Sequence, residues 1–245
     1  MTYCLALKLN EALVLLSDTR TNAGFDDISR FRKTFTWARR GERAVALMTA
    51  GNLGMTQGVI AHLQARLDAA ERGEEAETIL NCETLYRGAE LVGEAMQAVR
   101  ARDREVLEAA GHSADASLIF AGQRRGGALR LFMIYSVGNF VEASVESPFL
   151  QIGEHKYGKP ILDRVVDVSM PLADALKAAM LSMDATMRSN LSVGMPLDLT
   201  VIQKDRFAAE ARRFEPGDPI FREIGEVWSR ELRKAFQSLP DVPFG

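Results

Sequence analysis

The chain opens MTYC, with a hydroxyl amino acid directly after an initiator methionine. Methionine is generally removed when a residue as small as Thr follows it, so processing is expected to expose Thr2 as the N-terminus. A free α-amino group has a reference pKa of about 7.7–8.0, a usable general base at neutral pH beside its own hydroxyl. This is the Thr–amine form of nucleophilic catalysis, which needs no His. Asp18 lies sixteen residues further on, in LLSDTRTNAG, and Lys33 lies thirty-one residues beyond Thr2, in RFRKTF. TAGNLG, with Gly51, then leads from an apolar run into a helical pattern. Each residue alone has a structural use. Asp at a strand end forms turns, Lys in a strand is commonly a solvated edge residue, and Gly51 suits a tight strand-to-helix turn. Ser189 near a helix end suits a cap. Those uses leave their joint spacing unexplained.

The elements that must position these residues follow from periodicity. Tyr3, Leu5, Leu7 and Leu9 alternate with Cys4, Ala6 and Lys8, and ALVLLSD follows a short polar break, so residues 2–18 read as a hairpin. TRTNAG reads as loop, RFRKTFTW as an alternating strand carrying Lys33, and RAVALMTAG as a more buried strand. MTQGVIAHLQARLDAAERG places Val59, Ile60, Leu63 and Leu67 on one helical face, and CETLYRGAELVGEAMQAVRARDREVLEAAG gives a second helix. ASLIFAGQ, ALRLFMIYS and FVEASVESPFLQIG read as strands, PLADALKAAMLSMDATM as a helix, LDLTVIQKD as a closing strand, and PIFREIGEVWSRELRKAFQSL as a last amphipathic helix. Runs of strands apart from runs of helices predict an α+β chain, two sheets with helices outside them. One domain spanning 1–245 is expected, with a helical extension over about 205–245.

Composition and motifs exclude most other chemistry. Net charge is −3, from 30 basic and 33 acidic side chains, which does not suit a nucleic-acid binder. No apolar run approaches the roughly 18 residues of a membrane span, and no basic flank precedes the first one, so the cytoplasm is the expected compartment. Cys4 and Cys82 stand far apart and read as free thiols. His62, His112 and His155 are in no zinc spacing, so no metal or other cofactor is expected. GHSAD lacks the second Gly of a nucleophile elbow, and neither a phosphate loop nor a dinucleotide fingerprint occurs.

The series of Thr2, Asp18 in a D-x-R-x-x-x-G segment, Lys33, and Ala-Gly before the first long helix resembles proteasome β-type subunits. GKPILDR, MRSNLSVGMPLDL and the DPIFREIGEVWSRELRKAF tail are similar to one branch of them, the bacterial ancestral β-subunit (Anbu) family of proteasome-type threonine proteases. The resemblance spans essentially the whole chain. It implies the N-terminal-nucleophile hydrolase fold, a four-layer αββα sandwich of two antiparallel sheets between helix layers. It also implies roles. Thr2 Oγ attacks the scissile carbonyl and its amine takes the proton, Lys33 as an ammonium favours the deprotonated hydroxyl, and Asp18 orients Lys33. The Gly51 N–H stabilises the oxyanion, Ser189 helps place the amine's proton, and Asp184 supports that corner. The implied substrate is a peptide or unfolded protein, cut inside a ring or open multimer. Any unfolding ATPase would be a separate partner, since the chain has no ATPase motif. An amidase or transferase using the same Thr2 on a small or modified peptide, and a non-catalytic assembly subunit, are the other readings. Two departures stand out. Lys33 falls one residue earlier than in most relatives, and QIGEHKYGKP puts Glu154 and Lys156 where many carry small residues.

Overall fold

The computed structural model describes residues 2–22 and 28–243. Met1, and residues 23–24 of the TRTNAG segment, lie outside them, so the expected loss of Met1 does too. Strands β1 (Tyr3–Lys8) and β2 (Ala12–Asp18) form the hairpin that the alternation predicts. The chain continues through β3 (Arg20–Asn22), β4 (Ile28–Arg30), β5 (Thr34–Arg39) and β6 (Arg43–Gly51). Helices α1 (Leu53–Glu71) and α2 (Leu85–Ala109) follow, then β7 (Ala116–Arg124), β8 (Arg130–Ile134), β9 (Phe140–Glu142) and β10 (Phe149–Gly153). The last elements are α3 (Lys159–Val165), α4 (Leu172–Ser189), β11 (Leu197–Gln203), β12 (Glu210–Phe214) and α5 (Pro219–Gln237).

The described residues form a mixed α+β fold with two five-stranded antiparallel sheets, ordered β10-β1-β2-β11-β12 and β5-β6-β7-β8-β9, a small β3-β4 pair and five helices. Side chains alternate along a strand, so each strand supplies two cores. Tyr3, Leu5 and Leu7 of β1 pack with Ala175, Ala179 and Met183 of α4, whereas the intervening Cys4 and Ala6 pack with Ala44, Ala46 and Met48 of β6. On β6 the alternate residues Val45 and Leu47 pack with α1 and α2 through Val59, Leu63, Leu91 and Met96. Both faces of β1, β2 and β6 are thus covered, which is why their sequences are nearly continuous apolar runs.

Several expectations need correction. Lys33 is not within a strand: it immediately precedes β5, which begins at Thr34. FVEASVESPFLQIG is not one strand but β9 and β10, which join different sheets. TRTNAG is not loop throughout, because Arg20–Asn22 pairs with Ile28–Arg30. The region from 205 onward is not helical throughout, since β12 pairs with β11 before α5 begins. Helix α3 has no counterpart in the sequence reading.

Candidate functional site

Asp18 ends β2, the strand paired with β1 on one side and β11 on the other, and its side chain is fully buried. Its Oδ1 accepts from Lys33 Nζ at 2.7 Å and from the Tyr3 N–H at 3.0 Å, and its Oδ2 accepts from the Gly194 N–H at 3.3 Å. Lys33 Nζ also donates to the Arg20 carbonyl at 2.6 Å. Burial pushes the Asp18 carboxyl up, and the Lys33 ammonium and the two backbone donors oppose that push. Lys33 is itself held by its backbone: its carbonyl accepts from the Thr49 N–H at 2.9 Å. Lys33 therefore joins the end of β2, through its side chain, to β6, through its carbonyl.

Thr2 is fixed by the main chain on either side of it. The Tyr3 N–H is bound to Asp18, and the Thr2 carbonyl accepts from the Glu154 N–H at 2.7 Å. Gly153, at φ +82°, lies so close that an added Cβ would collide with the Thr2 carbonyl oxygen. The Tyr3 ring is fully buried, and its hydroxyl is 2.6 Å from Ser182 Oγ and accepts from the Gln151 side-chain amide. Burial raises that phenol to about 12, so it stays protonated and acts as an anchor for β1.

Thr2, Lys33 and Gly51 line one cleft, together with Thr21 and the first turns of α1. Gly51 has φ +106°, and an added Cβ would sit 2.5 Å from the Asp115 carbonyl oxygen. Glycine is therefore required there by both conformation and space. Asn52 caps α1 by accepting from the Met55 N–H at 3.1 Å, so the positive end of the helix dipole adjoins the cleft.

The remaining candidates sit elsewhere. Ser189 is the exposed last residue of α4, and its hydroxyl makes no hydrogen bond among the described residues. Asp184 pairs with Arg188 at 2.7 Å and faces Gly225 of α5. Neither lines the cleft. Glu154 accepts from the Asn190 side-chain amide at 3.0 Å, and Lys156 is exposed. The sequence reading missed Gly194, Gly153 and the Arg20 carbonyl. A glycine just ahead of β11, whose Leu197 pairs with Asp18, is the available signal for Gly194. Among the described residues, no group of three His, Cys, Asp or Glu could hold a metal ion. No helix among them is long and apolar enough to cross a membrane.

No protein-family model matches the chain, and no curated protein does. Solved structures do. The chain is 41% identical to an Anbu (Gly-1) mutant from Hyphomicrobium sp. strain MC1, with a TM-score of 0.91 and 100% of both chains covered. It is 41% identical to Anbu (ancestral beta-subunit) from Yersinia bercovieri, with a TM-score of 0.91 and 99% of both chains covered. It is 43% identical to the chain in a helical assembly of the Anbu complex from Pseudomonas aeruginosa, with a TM-score of 0.91 and 98% of both covered.

Proposed function

The chain belongs to the ancestral β-subunit (Anbu) family, proteins related to proteasome β-subunits, and from that footing we propose that it is a proteasome-like threonine peptidase. One observation carries the proposal: Thr2, Lys33 and Gly51 line a common cleft while a buried Asp18 holds the Lys33 ammonium. In this reading the three cores belong to a single domain, a four-layer αββα sandwich with β12 and α5 appended.

Once Met1 is removed, Thr2 Oγ attacks the scissile carbonyl carbon, and its proton passes to the Thr2 α-amine, directly or through one water. Lys33 stabilises the alkoxide as it forms. The carbonyl oxygen becomes an oxyanion facing the Gly51 N–H at the α1 end of the cleft. Collapse of the tetrahedral intermediate breaks the C–N bond. The amine's proton leaves with the new N-terminus, and an ester links the acyl half to Thr2. Water, deprotonated by the same amine, then hydrolyses the ester. Asp18 is a positioning residue that fixes Lys33 and, through the Tyr3 N–H, the strand carrying Thr2. Ser189 and Asp184 act at a distance, setting the end of α4 from which residues 190–194 reach Asp18.

Self-association is part of the proposal. Helix α5 buries Phe221 and Gly225 but leaves Val227, Trp228, Leu232 and Phe236 on its exposed side. An apolar face of that kind suits a second subunit, and the Pseudomonas aeruginosa relative is described in a helical assembly. A cytoplasmic peptide or unfolded protein would be the substrate, and any unfoldase a separate protein.

Mass spectrometry after treatment with a peptide epoxyketone tests the mechanism. The expected result is loss of Met1 and one adduct on Thr2, absent in Thr2→Ala and reduced at least a hundredfold in rate in Lys33→Ala. An active protein that retains Met1 would sink the mechanism.

A further inference from the structure

The cleft beside Thr2 has a size and a lining that choose among substrates. Its cavity volume is about 60 Å³. A water position takes about 10–15 Å³ on that measure, so the space holds on the order of four to six water-sized atoms. A Leu or Ile side chain fills about that many positions, whereas Phe, Trp or Arg overfills them.

The walls are Phe31, Phe35, Leu53 and Ile60, with Thr49 and Thr56 between them. The Thr56 hydroxyl donates to the Leu53 carbonyl at 3.0 Å, and the Thr49 hydroxyl leans on the Lys33 carbonyl at 3.5 Å. Those hydroxyls are taken up internally, which leaves their methyl groups for a substrate. No carboxylate lines the cleft, so a Lys or Arg side chain would lose its hydration without gaining a counter-charge. Lys33 is paired with the Asp18 carboxylate and also donates to the Arg20 carbonyl, and in the proposed mechanism its remaining N–H serves the Thr2 hydroxyl, so a substrate Asp or Glu gains little from it. Arg32 is exposed at the solvent edge, where water and salt weaken its pull.

We infer that this cleft selects peptides with a branched aliphatic residue on the acyl side of the cut bond, and that Ile60 and Phe35 set the upper size limit. The inference rests on Thr2 being the nucleophile. Ile60 is only half-buried while its helical neighbours Val59, Leu63 and Leu67 are buried in the α1/α2 core. Its side chain thus serves the cleft wall as well as the core edge.

The test is a panel of peptide epoxyketones identical except for the terminal residue, Leu, Phe, Asp or Arg, with adduct rates read by mass spectrometry on the full chain. Leu is expected to react at least tenfold faster than each of the others, in line with the tenfold or larger discrimination that about one methylene gives in an apolar pocket. Ile60→Ala should lower the Leu-to-Phe rate ratio at least tenfold, and Phe35→Leu provides a second enlargement should Ile60→Ala fold poorly. Equal rates across the wild-type panel, a preference for Asp or Arg, or a ratio unmoved in a folded enlarged variant would overturn the selectivity and leave the nucleophile standing. Failure of every probe to label Thr2 would overturn the nucleophile, and the selectivity with it.

Discussion

Two cation–carboxylate pairs in this molecule have the same separation and opposite surroundings. Lys33–Asp18 and Arg188–Asp184 both close to 2.7 Å. The first pair has side-chain exposures of 6% and 0%, the second of 58% and 14%. Asp18 adds two backbone donors and Lys33 a backbone acceptor, whereas Arg188 and Asp184 are one turn apart on a single helix. Distance alone therefore says nothing about what a pair does. Desolvating two charges costs more than a surface contact returns, and only the network around Asp18 offsets that cost. The buried pair holds its ammonium at a fixed place beside the cleft, while the exposed helical pair contributes little to stability.

The largest effect that would break this comparison comes from removing one buried charge. Lys33→Met leaves Asp18 buried without its cation, and a loss of about 3–5 kcal/mol in unfolding free energy is expected by urea titration. The pH dependence has a definite sign. Burial already raises the Asp18 carboxyl in the folded state, and loss of Lys33 removes the main opposing influence. The folded variant then holds a proton that the unfolded chain releases, so its stability falls as pH rises above about 3.9, the ordinary Asp value, through the raised one. Urea midpoints that rise from mildly acidic to neutral pH would contradict this assignment. A smaller effect is expected of the double variant Asp18→Asn, Lys33→Met. With both charges gone it should be more stable than Lys33→Met, by a coupling of about 1–3 kcal/mol in a double-mutant cycle. Arg188→Ala should do least, costing less than about 1 kcal/mol and leaving the rate of Thr2 labelling within twofold of wild type. A larger loss there would erase the distinction between the two pairs.

The sequence made the candidate side chains legible and hid their main-chain partners. Thr2, Asp18 and Lys33 stand out by type and spacing, and the structure places Asp18 against Lys33 and Thr2 against the same cleft as Lys33. Gly194, the Arg20 carbonyl and the Glu154 N–H contribute backbone groups, which any residue could offer, so no residue type announces them. Helices α2, α4 and α5 were readable because a long apolar stripe repeats over several turns. Helix α3, with only seven residues, repeats too few times to be distinguished. The split of β9 from β10 depends on which sheet each joins, a tertiary choice that period-two alternation does not record. Ile60 belongs to the apolar stripe of α1, yet it borders the cleft as well as the edge of the core, a double position that helical periodicity does not record.

Both cysteines are buried, and in different places: Cys4 lies between the two sheets, and Cys82 lies under α2 with Arg43 against its sulfur at 3.0 Å. Burial also raises both thiols, Cys4 the more strongly. A thiol that is both shielded and protonated reacts with alkylating reagents only when its surroundings open. The molecule thus carries two chemical clocks. Labelling of Cys4 times the parting of the sheets that meet beneath Thr2, and labelling of Cys82 times the lifting of helices from the opposite side.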